Sequence, residues 1–120
     1  CLIAQAGHHP PLLVLRDGTT RVLDLPSGLP LGLGAEAGAG AFQATRVSLP
    51  PGATLALYTD GLVESRTRPL EHGMTTLRGA LGSALTRPRA TLGNTCATVT
   101  QAMRQHGEDD ITLVLARIRQ

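Results

Sequence analysis

Apolar and polar positions change period twice along this chain. Up to residue 59 the apolar residues come in short runs broken by Gly and Pro. LIAQAG (2–7), PLLVLR (11–16) and TRVLDL (20–25) read as strands, with Asp17-Gly18 as a hairpin turn between the last two. PSGLPLGLGAEAGAG (26–40) is too rich in Gly and Pro for a regular element and reads as a surface loop. AFQATRVSL (41–49) resumes a strand pattern, and Pro50-Pro51-Gly52 turns the chain. ATLALYT (53–59) then puts Leu55 and Leu57 on one face and Thr54, Ala56 and Tyr58 on the other.

From Met74 the period becomes helical. Met74, Leu77, Leu81 and Leu85 mark one amphipathic helix, with Gly79 and Gly82 as weak points. Pro88 separates it from a second, marked by Leu92, Cys96, Val99 and Met103, for which Gly107 is a stop. DITLVLARI (110–118) returns to a strand that is apolar on both faces, which predicts a place inside a sheet covered on each side. Antiparallel hairpins, two helices and a return strand make an α+β fold with helices packed on a sheet face. Cys1 leads directly into the first strand without a preceding turn, so the pattern reads as the later part of a longer domain.

Composition narrows the function. The 120 residues make one domain at most, 42% hydrophobic and 17% charged. Phe42 and Tyr58 are its only aromatic residues, too few stacking platforms for a reader of single-stranded nucleic acid. The net charge is +2, and the basic residues, all Arg, are spread from Arg16 to Arg119 rather than clustered on a phosphate footprint. Cys1 and Cys96 have no metal-finger or CxxC spacing, which suits two reduced thiols in a cytoplasmic protein. No apolar run approaches the ~20 residues of a membrane span.

The acids carry the candidate chemistry. Asp60 lies where an apolar strand ends, and Glu64 shares its face if GLVESR opens a helix. Glu108, Asp109 and Asp110 stand just before the last strand. If those two strands are neighbours, their ends bring Asp60 and Asp109 to one rim, where crowded carboxylates suit a hard Mg²⁺ or Mn²⁺ ion. A purely structural reading also exists: Asp60 as the N-cap of a short helix, Glu64 at the positive end of its dipole, Asp109-Asp110 as a turn. His8 and His9 point to opposite faces if extended, which disfavours joint chelation of one ion. The Gly-rich loop lacks both phosphate-cradle patterns, GxxxxGK and GxGxxG. There is no GxSxG elbow, and neither thiol has a recognisable partner, so a nucleophilic side chain has no support.

Three segments together, AGHHPPLLVLRDG (6–18), LPPGATLALYTDGLVES (49–65) and EDDITLVLAR (108–117), resemble the PPM-type metal-dependent serine/threonine phosphatases, closest to their SpoIIE-like branch. GLPLGL (28–33) fits that branch as well. The resemblance implies an antiparallel β-sandwich flanked by helices, with two Mg²⁺ or Mn²⁺ ions at one end. It implies Asp60 and Asp109 as metal ligands, Glu64 at a weaker additional metal site, and His8 and Asp110 as further contributors. The implied reaction is hydrolysis of phosphoserine or phosphothreonine by a metal-activated water, without a covalent intermediate. The implied substrate is a regulatory phosphoprotein such as an anti-sigma-factor antagonist, in bacterial stress or developmental signalling. The family's metal-bridging acid belongs to a Gly-Asp motif upstream of the AGH strand, and no such motif precedes Ala6 here. Residues 1–120 therefore read as the C-terminal portion of the domain, expected alone to bind metal weakly and to turn over little. Unpaired strand edges would favour self-association. The rival expectation is an inactive remnant that serves as a protein-interaction module.

Overall fold

The computed structural model describes residues 1–26, 28–32, 42–104 and 110–119. Its main sheet has four antiparallel strands, β2 (Leu12–Val14), β3 (Thr20–Val22), β5 (Thr54–Tyr58) and β6 (Leu113–Arg117), in the order β3-β2-β5-β6. A second, two-stranded ribbon pairs β1 (Leu2–Ile3) with β4 (Thr45–Arg46). Three helices complete the described fold: α1 (Asp60–Val63), α2 (Leu70–Leu85) and α3 (Leu92–Met103). The α+β class and the antiparallel pairing follow the sequence expectation.

Side-chain alternation explains the layers. Leu12 and Val14 of β2, with Ala56 and Tyr58 of β5, point into a core shared with Leu62 and Val63 of α1, Leu77 and Leu81 of α2, and Val99 and Met103 of α3. Leu13 points the opposite way, into a second core with Leu23, Leu25 and Ala53, against which Ile3, Val47 and Leu55 pack. Every residue of β2 is therefore buried, as expected of a strand covered on both sides. The hairpin between β2 and β3 forms where Asp17-Gly18 predicts it. Gly18 takes φ +88°, and the Asp17 carboxylate accepts from the Thr19 N–H at 2.9 Å.

Other expectations need correction. The strand patterns at 2–7, 20–25 and 41–49 yield paired segments of only two or three residues within the described chain. β6 is an edge strand among the described residues, with Leu113 and Leu115 against the helices and Val114 50% exposed on the outer face. Among the described residues Val114 is left half open, so the cover that the sequence pattern predicts for this face is incomplete. α3 ends at Met103, where Arg104 turns extended; the expected stop at Gly107 lies outside the described residues, as do Ser27 and residues 33–40 of the Gly-rich loop and Ala41 of the strand pattern after it. Gly82 is a packing position more than a weak point, because a Cβ there would meet the Gly18 carbonyl oxygen at 2.5 Å. Both cysteines are free thiols.

Candidate metal centre

The rim to which the sequence assigns the acids is built where β5 ends and β6 begins. The ladder's last pair is Tyr58 with Leu113. Beyond it Thr59 takes over. Its N–H donates to the Thr112 carbonyl at 3.1 Å, its hydroxyl accepts from the Thr112 N–H at 2.9 Å, and that hydroxyl donates to the Asp110 carbonyl at 3.1 Å. One side chain thus ties the start of α1 to the approach to β6. The two strands are neighbours, and Asp110 lies at the same rim as Asp60. Asp109 and Glu108 lie outside the described residues.

Asp60 is the first residue of α1, and Thr59 is the N-cap; the N-cap role that the structural reading gives Asp60 is therefore corrected. Because the Thr59 hydroxyl is engaged across the sheet, it makes no cap bond to the helix. The Asp60 side chain is 74% exposed, so its carboxylate is available from solvent. The one-turn helix beneath it is held from below. Leu62 and Val63 are fully buried, and Arg68 Nη2 donates to the Leu62 carbonyl at 2.8 Å. Gly73 lets α2 approach so closely that a Cβ there would collide with the Val63 carbonyl oxygen. Glu64 closes the turn: its N–H donates to the Asp60 carbonyl at 2.9 Å while its own backbone is already extended. The expected helix through GLVESR stops one residue short of Glu64, whose side chain is exposed.

The histidines divide. Gly7, at φ +81° and with Pro30 so near that a Cβ would stand 2.8 Å from its Cγ, makes the bend that precedes them. His8 is exposed and lines a cleft of about 380 Å³. His9 turns toward Asp60, with Nε2 3.0 Å from Oδ1. Its ring stacks on Tyr58, centroids 6.1 Å apart and planes 12° from parallel. Tyr58 is itself fixed, its hydroxyl donating to the Pro10 carbonyl at 2.7 Å, and burial pushes its pKa up to about 12. The His9–Asp60 approach falls outside hydrogen-bond alignment, and among the described residues Nε2 is buried without another partner. Sequence reasoning singled out His8 and missed His9 and Thr59. The usable signals were the polar residue just before Asp60 and the alternation itself, which turns one histidine of an adjacent pair toward each side.

The cleft runs from this corner along the outer face of β5 and β6, walled by Leu57, Val114, Ile3 and Leu25 and closed at the rim by His9, Thr59 and Thr112. A carboxylate in water with a buried imidazole nitrogen 3.0 Å from it is an oxygen-and-nitrogen pair of the kind a divalent cation accepts. Among the described residues no three His, Cys, Asp or Glu side chains converge on one point. No described helix is long and apolar enough to cross a membrane.

The family described as Stage II sporulation protein E (SpoIIE) matches residues 1–119 of the chain. Among solved structures, the RsbU and RsbW domains of Rv1364c from Mycobacterium tuberculosis match with a TM-score of 0.81 and 29% sequence identity. The match covers 98% of this chain and 33% of that one, so the chain spans about a third of the length of the solved relative.

Proposed function

The chain belongs to the SpoIIE family, and from that premise we propose that it contributes the metal-binding rim of a PPM-type protein serine/threonine phosphatase. The observation that carries the reading is the junction of Thr59 with Thr112 and Asp110, which keeps the exposed Asp60 carboxylate beside the chain entering β6. Asp60 and Asp109 are the proposed ligands of two Mg²⁺ or Mn²⁺ ions, with Glu64 at a weaker additional position and His8 and Asp110 as further contributors. When bound, those ions would supply a nucleophilic water near neutral pH and neutralise charge on the phosphoryl oxygens.

The chain's own residues position and exclude. Asp60 opens a helix whose Leu62 and Val63 anchor it in the core, so the backbone that carries its carboxylate is fixed at the rim. The apolar cleft walled by Leu57 and Val114 offers a seat for the peptide around a phosphorylated Ser or Thr. A regulatory phosphoprotein such as an anti-sigma-factor antagonist is the proposed substrate, in the cytoplasm. The presence of RsbU and RsbW domains in the solved relative supports a setting in which a phosphatase acts beside a regulatory partner.

The test is Mn²⁺-dependent hydrolysis of a phosphoserine peptide by the full-length protein, compared with Asp60→Asn and Asp109→Asn. Loss of turnover in both variants, by about a hundredfold or more for a ligand that fixes a catalytic metal, is the expected result. Equal activity in all three proteins would remove these carboxylates from the mechanism. The second reading, an interaction module without turnover, is favoured by the 44% exposed Leu57 and the 50% exposed Val114 on the sheet face away from the helices. It predicts binding of the phosphoprotein with no release of phosphate.

A further inference from the structure

Among the described residues, His9 Nε2 is a buried polar atom with no hydrogen-bond partner. Such an atom in a folded protein calls for a water, a proton partner or an ion. Among the described residues its ion-pair contact is with Asp60 Oδ1 at 3.0 Å, off the line that an N–H donor would take. An unprotonated Nε2 facing a carboxylate across that gap is repelled unless a cation joins them. The separation itself is informative. Two donors each about 2.1 Å from one cation, at a right angle, stand about 3.0 Å apart.

The ring is also aimed. It stacks on Tyr58, and the Tyr58 hydroxyl is tied to the carbonyl of Pro10, the residue that follows His9. The imidazole is thus fixed to the end of β5 from two sides, and a ligand so held loses little freedom on binding.

We propose that His9 Nε2 is a direct ligand, beside the Asp60 carboxylate, of a divalent cation at the end of β5. The inference rests on the reading of Asp60 as a metal ligand and adds to it a nitrogen donor. A nitrogen donor changes the chemistry of the site. Carboxylates and water alone suit Mg²⁺, whereas an imidazole shifts preference toward Mn²⁺ and later first-row ions. The site would then discriminate between the two ions that an all-oxygen set accepts alike.

Pulsed electron paramagnetic resonance of Mn²⁺ bound to the full-length protein tests this directly. The expected result is a nitrogen coupling from a bound imidazole, kept in His8→Gln and lost in His9→Gln. Mn²⁺ affinity should fall about tenfold or more in His9→Gln, with a smaller change for Mg²⁺. His9→Asn serves in its place if the Gln variant does not fold. A coupling that is absent from the wild type, or that survives loss of His9, overturns the inference. If Asp60→Asn abolishes Mn²⁺ binding in that case, the metal reading of Asp60 stands and only the His9 ligand falls. If Asp60→Asn binds Mn²⁺ as the wild type does, or the wild type binds none, the site reading fails and takes the inference with it.

Discussion

Tyr58 carries more of this site than its lone hydroxyl suggests. It lies on the core face of β5, backs the His9 ring and ties the Pro10 carbonyl. Burial raises its pKa from the ordinary value near 10 to about 12. An unfolded chain gives up that proton near pH 10, and the folded chain keeps it until about pH 12, so the unfolded state binds fewer protons in that window. Its contribution to stability is therefore complete below pH 10 and declines as pH rises toward 12. As the chain has one tyrosine, ultraviolet titration reads this group alone, with a midpoint expected near 12 in the folded protein and near 10 in denaturant. Which face Tyr58 occupies was legible from period-2 alternation. That His9 would stack on it was not, because alternation orients neighbours without saying which strand they meet.

At the level of elements, what positions the site is a set of close joints. Replacing Thr59 by Val keeps the shape but strips the hydroxyl that bridges Thr112 and Asp110. With the Asp110 carbonyl and Thr112 N–H left to solvent or unpaired, about 1–3 kcal/mol of stability should be lost in denaturant melts, together with metal affinity. Gly73→Ala forces a methyl against the Val63 carbonyl and should cost at least about 1–3 kcal/mol by displacing α1, whereas Gly79→Ala, with open space around it, should be neutral or stabilising. Thr91, whose hydroxyl accepts the Asn94 N–H at 3.0 Å, caps α3, so Thr91→Ala should cost about 1 kcal/mol without touching metal binding. The two long helices were legible because Leu77, Leu81, Val99 and Met103 repeat at helical spacing and are all fully buried. The short strands were less so. Among the described residues Leu2–Ile3 and Thr45–Arg46 pair only with each other, and no local pattern states where a two-residue ribbon stops.

For the molecule as a whole, order of elements was enough to give the class, an antiparallel sheet with helices on one face. It could not give the position of β6, since a strand apolar on both sides looks the same whether its outer face is covered or bare. Leu57 and Val114 leave an apolar face beside the cleft, and a concentration-dependent sedimentation coefficient that disappears in Val114→Lys is the expected consequence. The rim itself was legible to the extent that two strands with acids at their ends are neighbours. Asp60 and Asp110 do share an edge, held there by Thr59. On the proposed function, this edge binds a divalent cation through the carboxylates of Asp60 and Asp109. Titration of Mn²⁺ into the full-length protein, followed by calorimetry, measures it most directly. Binding in the wild type that is abolished in Asp60→Asn and in Asp109→Asn, while thermal unfolding stays cooperative, is the expected outcome. Undiminished Mn²⁺ affinity in either folded variant would contradict it.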